Sequence, residues 1–332
     1  MSMLNRQILL VSRPSRAAVA ENFRLVEVPL PPLEEGEIRV RNHFLSLDPY
    51  MRGRMDDRKS YAPAQKLGEV MQGGTAGVVE ESRNPDWVPG DKVIAMFGWQ
   101  EYGTSDGQGM RKVDASRVPL SAYLGVVGMP GVTAWYGLNR ICAPKPGETV
   151  AVSAASGAVG SVVGQLASRQ GCRVVGIAGG PEKCRYLVEE LGLDAGVDYR
   201  SASLAADLTA AAPGGIDCYF DNVGGAVLDA VMERMNPHGR IAVCGAIAGY
   251  DGAPLSMANP RLILTSRLTL QGFIVSEHMD DWPAALAELA GLVAAGKLKY
   301  RETVAVGLAS APEAFLGMLK GKNFGKQIVR LA

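Results

Sequence analysis

The chain has 332 residues, a length that favours two domains over a single core. Lysine plus arginine and aspartate plus glutamate number 34 each, so no general basic field exists to hold nucleic acid or an anionic membrane surface. Apolar residues make up 47% of the chain, which excludes disorder as a description of the whole molecule.

The spacing of cysteine and histidine argues against disulfide and metal sites. The five cysteines are widely spaced and form no C-x-x-C pair, and the three histidines show no zinc-ligand spacing. We therefore expect no bound metal and a reducing, cytoplasmic location. We also expect no signal peptide and no membrane span, since the sequence has no apolar run of about 18 residues.

The first part of the chain, up to about residue 128, has the pattern of a mostly β domain. Short β-prone stretches alternate with turn signals rich in glycine and proline, which is typical of a small barrel or sandwich. These stretches are Gln7–Ser12, Phe23–Val28, Glu37–Leu47, Gly74–Glu80 and Lys92–Phe97.

Beyond Pro130 the pattern changes to strands that alternate with helices, which predicts a doubly wound parallel sheet. The predicted strands are Glu148–Ser153, Arg173–Ile177, Ile216–Phe220, Arg240–Val243 and Leu268–Val275, and the predicted helices are Val159–Gln170, Glu182–Leu191, Ala226–Met235 and Trp282–Ala295. After Tyr300 a short strand, a helix (Pro312–Lys320) and a terminal strand (Lys326–Leu331) are predicted to return to the first domain. The predicted domains are therefore 1–128 with 300–332, and 129–299.

A glycine-rich turn lies between the first strand and the first helix of this alternation. The segment from Ala154 to Gly160 has the spacing A-x-x-G-x-x-G, not the strict G-x-G-x-x-G. Gly157 allows a tight turn, and Gly160 lets the backbone approach a pyrophosphate closely at a helix N-terminus. The turn predicts a dinucleotide site that includes Gly157, Ala158, Val159 and Gly160.

The end of the next strand indicates which dinucleotide binds. An NAD enzyme places an acid there to bind the ribose 2′-hydroxyl, but this strand ends in Gly179 and Gly180 without one. Lys183 and Arg185 follow at once, and cations beside this position favour a 2′-phosphate, hence NADPH. The alternative is that both are solvated charges on a helix.

Two more glycine-rich loops follow later strands. Phe220–Gly225 and Cys244–Tyr250 come at the ends of consecutive strands of the predicted parallel sheet. Because such sheets bind ligands at the carboxyl ends of their strands, we expect both loops to face the cofactor. The alternative is that their glycines only make turns.

Together these segments resemble a known family. The carrying segments are Leu45–Gly53, Gly128–Ala134, Ser153–Gly160, Phe220–Gly225, Cys244–Tyr250, Leu270–Val275 and Leu319–Lys326. The chain resembles the zinc-free medium-chain dehydrogenase/reductases, within them the leukotriene B4 12-hydroxydehydrogenase/prostaglandin reductase group, and is most similar to the bacterial NADPH-dependent curcumin reductases. The segments span nearly the whole chain in order, so the resemblance does not depend on one promiscuous motif.

The resemblance implies a GroES-like substrate domain, made by the first and last segments, and a Rossmann domain between them. It implies that the substrate lies near Tyr50, Tyr61 and Tyr250. The cofactor contacts it implies, beyond the glycine-rich turn, are Lys183, Tyr199, Asn222, Cys244, Gly245, Ala246, Ile247, Tyr250, Phe273, Ile274, Val275 and Asn323.

The reaction implied by the resemblance is hydride transfer from NADPH to the β-carbon of an α,β-unsaturated ketone or aldehyde. Hydrogen-bond donors suffice to stabilise the enolate, and Tyr250 with the cofactor ribose hydroxyl is the implied pair. The apolar Leu268–Val275 strand, predicted at a sheet edge, favours a homodimer, and the resemblance points the same way.

Three alternatives remain open from the sequence. One is a zinc-free quinone reductase of the same superfamily. A zinc alcohol dehydrogenase is a weaker alternative, because no cysteine accompanies His43 in the segment where such enzymes place their first ligand. The third is a non-catalytic NADPH-binding protein, since a fold does not by itself imply a function.

Overall fold

The structure, a computed structural model, describes residues 3–250, 252 and 255–332. Residues 1, 2, 251, 253 and 254, which fall within the predicted domains, lie outside the described residues. The chain divides into two compact units. The first unit contains the chain up to Gly125 together with Glu302–Ala332, and the second contains Val126–Arg301.

The strands and helices occur in the following order. The strands are β1 (Leu4–Leu10), β2 (Phe23–Pro29), β3 (Ile38–Ser46), β4 (Thr75–Ser82), β5 (Lys92–Ala95), β6 (Tyr102–Ser105), β7 (Arg111–Lys112), β8 (Thr149–Ser153), β9 (Arg173–Ala178), β10 (Ala195–Asp198), β11 (Ile216–Asp221), β12 (Met235–Val243), β13 (Thr269–Gly272), β14 (Glu302–Val306) and β15 (Lys326–Arg330). The helices are α1 (Tyr50–Arg54), α2 (Met129–Tyr136), α3 (Gly160–Arg169), α4 (Pro181–Arg185), α5 (Leu204–Ala211), α6 (Gly225–Met232), α7 (Arg261–Thr265), α8 (Trp282–Ala294) and α9 (Ala311–Leu319). In the part of the chain that the structure describes, no helix has both the length and the apolarity needed to cross a bilayer.

The second unit is built on a parallel sheet in the order β10-β9-β8-β11-β12-β13. All five residues of β8 are buried, as expected for a central strand covered on both faces. The strand order reverses between β8 and β11, and such sheets bind ligands at that point, outside the carboxyl ends of the strands. The predicted doubly wound parallel sheet is confirmed.

The first unit is mostly antiparallel. Its larger sheet has the order β14-β15-β3-β4-β5-β7, with β6 also paired to β3, and β1 forms a separate pair with β2. The C-terminal strand β15 lies antiparallel to β3, with Ile328 opposite Ser46. The end of the chain therefore completes the sheet that the N-terminal segment begins.

Several predicted element boundaries are wrong. The strand predicted over Leu268–Val275 ends at Gly272, because the backbone leaves the sheet to reach α8, where the Val275 carbonyl accepts a bond of 3.0 Å from Trp282 Nε1. The helix predicted over Ala226–Met235 ends at Met232, because Met235 already pairs with Ile216 in the sheet.

Some elements were not predicted from the sequence. The helix predicted over Glu182–Leu191 is α-helical only to Arg185 and continues as a π-helical segment, Tyr186–Glu190. Neither β10 nor α5 was predicted. The strand β10 is only four residues long and includes a glycine, so its own β-propensity is low. Its pairing with β9 stabilises it as a strand.

Three aromatic side chains join the C-terminal helix α9 to the β structure of the first unit. Trp99 stacks on Phe23 with ring centroids 5.3 Å apart, and Phe315 of α9 packs edge-on against Trp99 at 5.5 Å. Phe315 and Trp99 are fully buried. We infer that this cluster holds α9 in place.

Replacement of Phe315 by alanine tests that inference. The loss of a buried ring leaves a cavity, so Phe315→Ala should lower the free energy of unfolding by about 3–5 kcal/mol in urea titrations. Val306→Ala is a matched control, because Val306 is 64% exposed and its loss should change stability by about 0.5 kcal/mol or less. Equal effects of the two changes would contradict the role of the cluster.

Candidate cofactor and substrate site

The glycine-rich turn connects the end of β8 to the start of α3. Ala154 adopts a positive φ of 48°, and its carbonyl accepts a hydrogen bond of 2.8 Å from the Gly157 N–H. A Cβ atom at Gly160 would lie 2.8 Å from the Cα of Ala155, closer than real Cβ atoms approach. Gly160 is buried, whereas Gly157, Ala158 and Val159 are partly exposed. The turn therefore presents backbone to a ligand and fits the close approach of a pyrophosphate.

The end of β9 carries a group of cationic and aromatic side chains. Burial, and then the positive charge of Arg200, lowers the pKa of Lys183 from its ordinary value. The Arg200 guanidinium lies 5.6 Å from the centre of the Tyr199 ring. Tyr199 in turn lies so close to Gly179 that a Cβ atom there would come within 2.8 Å of a ring carbon. Two neighbouring cations would be stabilised by an anion between them, and a 2′-phosphate is such an anion.

The neighbouring acid Asp198 is held by hydrogen bonds to the backbone. Asp198 ends β10, and its Oδ1 accepts hydrogen bonds from the backbone N–H groups of Gly180 at 2.8 Å and Arg200 at 2.9 Å. The bond from Gly180 is the main reason why the pKa of Asp198 is lowered. The carboxylate therefore shapes the loop that carries the cations. Arg185 is exposed.

Arg200 is a candidate that the sequence analysis missed. Its role was hidden because β10 itself was not predicted, so residues 199 and 200 had no place in the sheet. Arg200 follows the last residue of β10 by two positions, at the same sheet edge as the turn after β9. A strand assigned to Ala195–Asp198 would have been the signal that identified it.

A buried carboxylate organises the loop after β11. Asp221 is 1% exposed, and its Oδ1 accepts hydrogen bonds from Tyr219 Oη at 2.8 Å and Ser153 Oγ at 3.1 Å. The same oxygen accepts the N–H groups of Val223 at 2.9 Å and Gly224 at 3.0 Å. Asp221 therefore ties the end of β8 to the turn after β11. Its part in the site was also missed, because only the loop as a whole was predicted.

The predicted contacts Asn222 and Cys244 extend this connection to β12. Asn222 Nδ2 donates to the Ser153 carbonyl at 2.8 Å, and the Cys244 N–H donates to the Asp221 carbonyl at 2.8 Å. Burial, and then the charge of Asp221, raises the pKa of the Cys244 thiol to about 12, so the thiol is protonated at neutral pH. The ends of three adjacent strands, β8, β11 and β12, are thus linked by hydrogen bonds.

The remaining residues of the predicted loop follow Cys244 directly. Gly245 donates its N–H to the Asp221 carbonyl at 3.1 Å, and Ala246 and Ile247 are partly buried. Residues Ile247–Gly249 form a 3₁₀ turn, after which Tyr250 is half-buried.

The segment after β13 packs mainly on apolar neighbours. The Phe273 ring lies 5.5 Å from Tyr136 and 6.2 Å, edge-on, from Phe220. Ile274 is partly exposed, whereas Val275 is buried. Cofactor contacts of Phe273, Ile274 and Val275 stay a prediction.

Three predicted residues lie in the first unit. Tyr50 begins α1 and is half-buried, Tyr61 is 53% exposed, and Asn323 donates from Nδ2 to the Gly325 carbonyl at 2.8 Å. The Arg54 guanidinium lies 5.8 Å from the centre of the Tyr50 ring and 5.0 Å from that of Tyr61. This cation therefore connects the two predicted substrate tyrosines.

Among the described residues, no group of three or more histidine, cysteine, aspartate or glutamate side chains is arranged to hold a metal ion. His43 lies on β3, and burial followed by the charge of Arg41 lowers its pKa.

Two family models match the chain. Residues 6–113 match the model described as the N-terminal domain of oxidoreductase, and residues 158–291 match the one described as zinc-binding dehydrogenase. The chain is 46% identical to the NADPH-dependent curcumin reductase of Escherichia coli (strain K12), over 99% of this chain and 97% of that protein. It is 45% identical to prostaglandin reductase 1 of Rattus norvegicus, over 93% of this chain and 94% of that protein.

A solved structure agrees with these likenesses. The crystal structure of CurA from Vibrio vulnificus in complex with NADPH superimposes with a TM-score of 0.94, at 45% identity over 98% of this chain and 99% of that one. The predicted family and the Rossmann and GroES-like fold class are confirmed. The chain therefore belongs to the medium-chain dehydrogenase/reductase family, in the group that contains the curcumin and prostaglandin reductases.

Proposed function

We propose that this protein is an NADPH-dependent enzyme that reduces the carbon–carbon double bond of α,β-unsaturated ketones and aldehydes. The observation that carries the choice of NADPH is the neighbouring cations Lys183 and Arg200 after β9 and β10, with Asp198 already bonded to backbone. The names of the related proteins, an NADPH-dependent curcumin reductase and a prostaglandin reductase, support the same class of reaction.

The residues at the strand ends fit this cofactor. The backbone of Gly157–Gly160 would hold the pyrophosphate, and Lys183, Tyr199 and Arg200 would hold the 2′-phosphate. We propose that further contacts come from Asn222, Cys244, Gly245, Ala246, Ile247, Phe273, Ile274, Val275 and Asn323. When bound, NADPH supplies the hydride.

The task of the protein's own residues is to orient the substrate and to stabilise charge on its carbonyl oxygen. We propose that the Tyr250 hydroxyl donates a hydrogen bond to that oxygen, or to the ribose beside it, as the enolate forms. Tyr50 and Tyr61 would contact the substrate and fix the alkene for attack. Hydrogen-bond donors can stabilise an enolate, so this mechanism assigns no role to a metal ion.

We also propose a role for each of the two domains and a cellular location for the enzyme. Residues 1–128 with 300–332 would form the substrate domain, and residues 129–299 the NADPH-binding domain. The enzyme would be cytoplasmic.

We propose that the enzyme is a homodimer. Among the described strands, β13 lies at the end of the parallel sheet, and an uncovered edge can pair with the same strand of a second copy. Light scattering at micromolar concentration should then give about twice the chain mass of 35.1 kDa. A monomer at that concentration would contradict the proposal.

A substrate panel tests the proposed reaction. Purified protein is mixed with NADPH and a series of enones, enals and quinones, and the products are identified by mass spectrometry. We expect saturated ketones and aldehydes from the enones and enals. Turnover of quinones alone would favour the quinone reductase alternative, and no oxidation of NADPH with any compound would favour a non-catalytic binding protein.

The cofactor preference depends on the two cations. A charge-assisted bond to a phosphate contributes roughly 1.5–3 kcal/mol, so Lys183→Ala and Arg200→Ala should each weaken NADPH binding by about 10- to 150-fold. The affinity for NADH should stay nearly constant, since NADH has no 2′-phosphate. Arg169→Ala is the matched control, because Arg169 is an exposed cation in the last turn of α3, and this change should leave both dissociation constants unchanged. Equal affinity of the unmodified protein for NADPH and NADH would overturn the assignment.

The role of Tyr250 is tested by Tyr250→Phe, which keeps the ring and removes the hydroxyl. If the hydroxyl acts mainly in the transition state, kcat should fall by about 10²-fold, with little change in NADPH affinity. Tyr123→Phe is a suitable control, because the Tyr123 hydroxyl bonds the Asp114 carbonyl at 2.6 Å in the first unit. An unchanged kcat and KM in Tyr250→Phe would leave Tyr250 as a packing residue.

A further inference from the structure

The segments Leu45–Gly53 and Leu319–Lys326 meet in the first unit. The residues that join them, Asp48 and Lys326, are 278 positions apart. Lys326 Nζ donates hydrogen bonds of 2.7 Å to Asp48 Oδ1 and 2.7 Å to the Leu47 carbonyl. Lys326 is 4% exposed and Asp48 is 6% exposed, so the ion pair is buried. The proposed chemistry assigns no role to this pair.

A buried ion pair needs a reason other than stability. The desolvation of two charges offsets much of their attraction, and well-packed apolar residues of the same size often stabilise a fold as well or better. Here burial lowers the pKa of Lys326, and the charge of Asp48 opposes that shift. What such a pair can provide is one defined geometry for the groups that it holds.

The ion pair of Lys326 and Asp48 holds the residues at the start of α1. The Ser46 hydroxyl donates to Asp48 Oδ2, while Lys326 holds Oδ1 and the preceding carbonyl. The Asp48 carbonyl then accepts the Met51 N–H at 3.1 Å, which closes the first turn around Tyr50. The position of the Tyr50 side chain therefore depends on where Lys326 holds Asp48.

The surroundings leave Lys326 little freedom. A Cβ atom at Gly125 would lie 3.3 Å from Lys326 Cγ, so the backbone there lies against the lysine stem. Glu302 stands opposite Lys326 in the β14–β15 pair, and its Oε2 accepts a bond of 3.0 Å from Ser121 Oγ. Burial is the main cause of the raised pKa of Glu302. The lysine stem therefore lies against Gly125, while its Nζ bonds the Leu47 carbonyl and Asp48 Oδ1.

The charge of the pair also acts on Tyr50 directly. Burial, and then the negative charge of Asp48, raises the pKa of the Tyr50 phenol above its ordinary value. The hydroxyl therefore stays protonated at neutral pH and can serve as a hydrogen-bond donor.

We infer that Lys326 and Asp48 are positioning residues for Tyr50, and that their buried pair fixes where this tyrosine meets the substrate. The inference rests on the substrate role proposed for Tyr50 and extends it to residues that do not touch the substrate.

The first measurement reads the position of Tyr50 without any activity. The full chain is labelled with 3-fluorotyrosine, and the Tyr50 resonance is assigned by its loss in Tyr50→Phe. Lys326→Met and the neutral pair Asp48→Asn/Lys326→Met should both shift or broaden this resonance. The double variant leaves no unpaired buried charge, so it serves if Lys326→Met does not fold. A Tyr50 resonance that stays in place in the folded double variant would overturn the inference.

The second measurement is kinetic. With an enone substrate, the double variant should raise KM by about tenfold or more while the dissociation constant of NADPH stays within about twofold. In a Tyr50→Ala background the same double change should have little further effect on KM, because the residue through which it acts is gone. Additive effects on KM would contradict a role through Tyr50.

A matched control separates positioning from general loss of stability. Arg39 is another buried cation of the same unit, 6% exposed and paired with Glu81 at 2.7 Å. Arg39→Met should lower stability and leave both the Tyr50 resonance and KM unchanged. If the unmodified protein reduces no enone, the proposed function fails, while the resonance still reports whether Lys326 positions Tyr50.

Discussion

The close approach of α3 to the end of β8 is the constraint on which the candidate site depends. Only a residue without a side chain fits at position 160, where a Cβ atom would collide with the backbone of Ala155. That approach directs the start of the helix toward the strand ends, where the sheet order reverses. A larger residue at this position would force the helix away and would open the turn that is proposed to hold the pyrophosphate.

Acidic and basic residues have different roles at the strand ends. Asp198 and Asp221 each bond to backbone N–H groups and shape the loops after β10 and β11. The cations proposed to bind an anion at the end of β9 are Lys183 and Arg200, whose charges act on each other. The proposed preference for a phosphorylated dinucleotide would then arise from two features, the presence of these cations and the bonding of Asp198 to the backbone.

The sequence predicted the features that depend on local pattern. The alternation of strands and helices, the turn through Gly157 and Gly160 and the cation Lys183 all follow from spacing and residue type. Features that depend on particular tertiary contacts were not predicted, although the terminal strand Lys326–Leu331 was expected to return to the first domain. The strand β10 forms because it pairs with β9, and Arg200 was missed because that strand was not predicted. The four hydrogen bonds to Asp221 Oδ1 come from β8, from β11 and from the loop after β11. The pairing of Asp48 with Lys326 could not be predicted either, because no local pattern records a contact over 278 positions.

The proposed function depends on one step, the transfer of a hydride to an alkene carbon, and isotope transfer can follow that step. The protein is incubated with an enone and NADPH that carries deuterium at C4 of the nicotinamide, on each face in turn, and the product is analysed by NMR. We expect a saturated ketone with one deuterium at the β-carbon from one of the two labelled cofactors. Deuterium at the carbonyl carbon of an allylic alcohol, or no transfer from either cofactor, would contradict it.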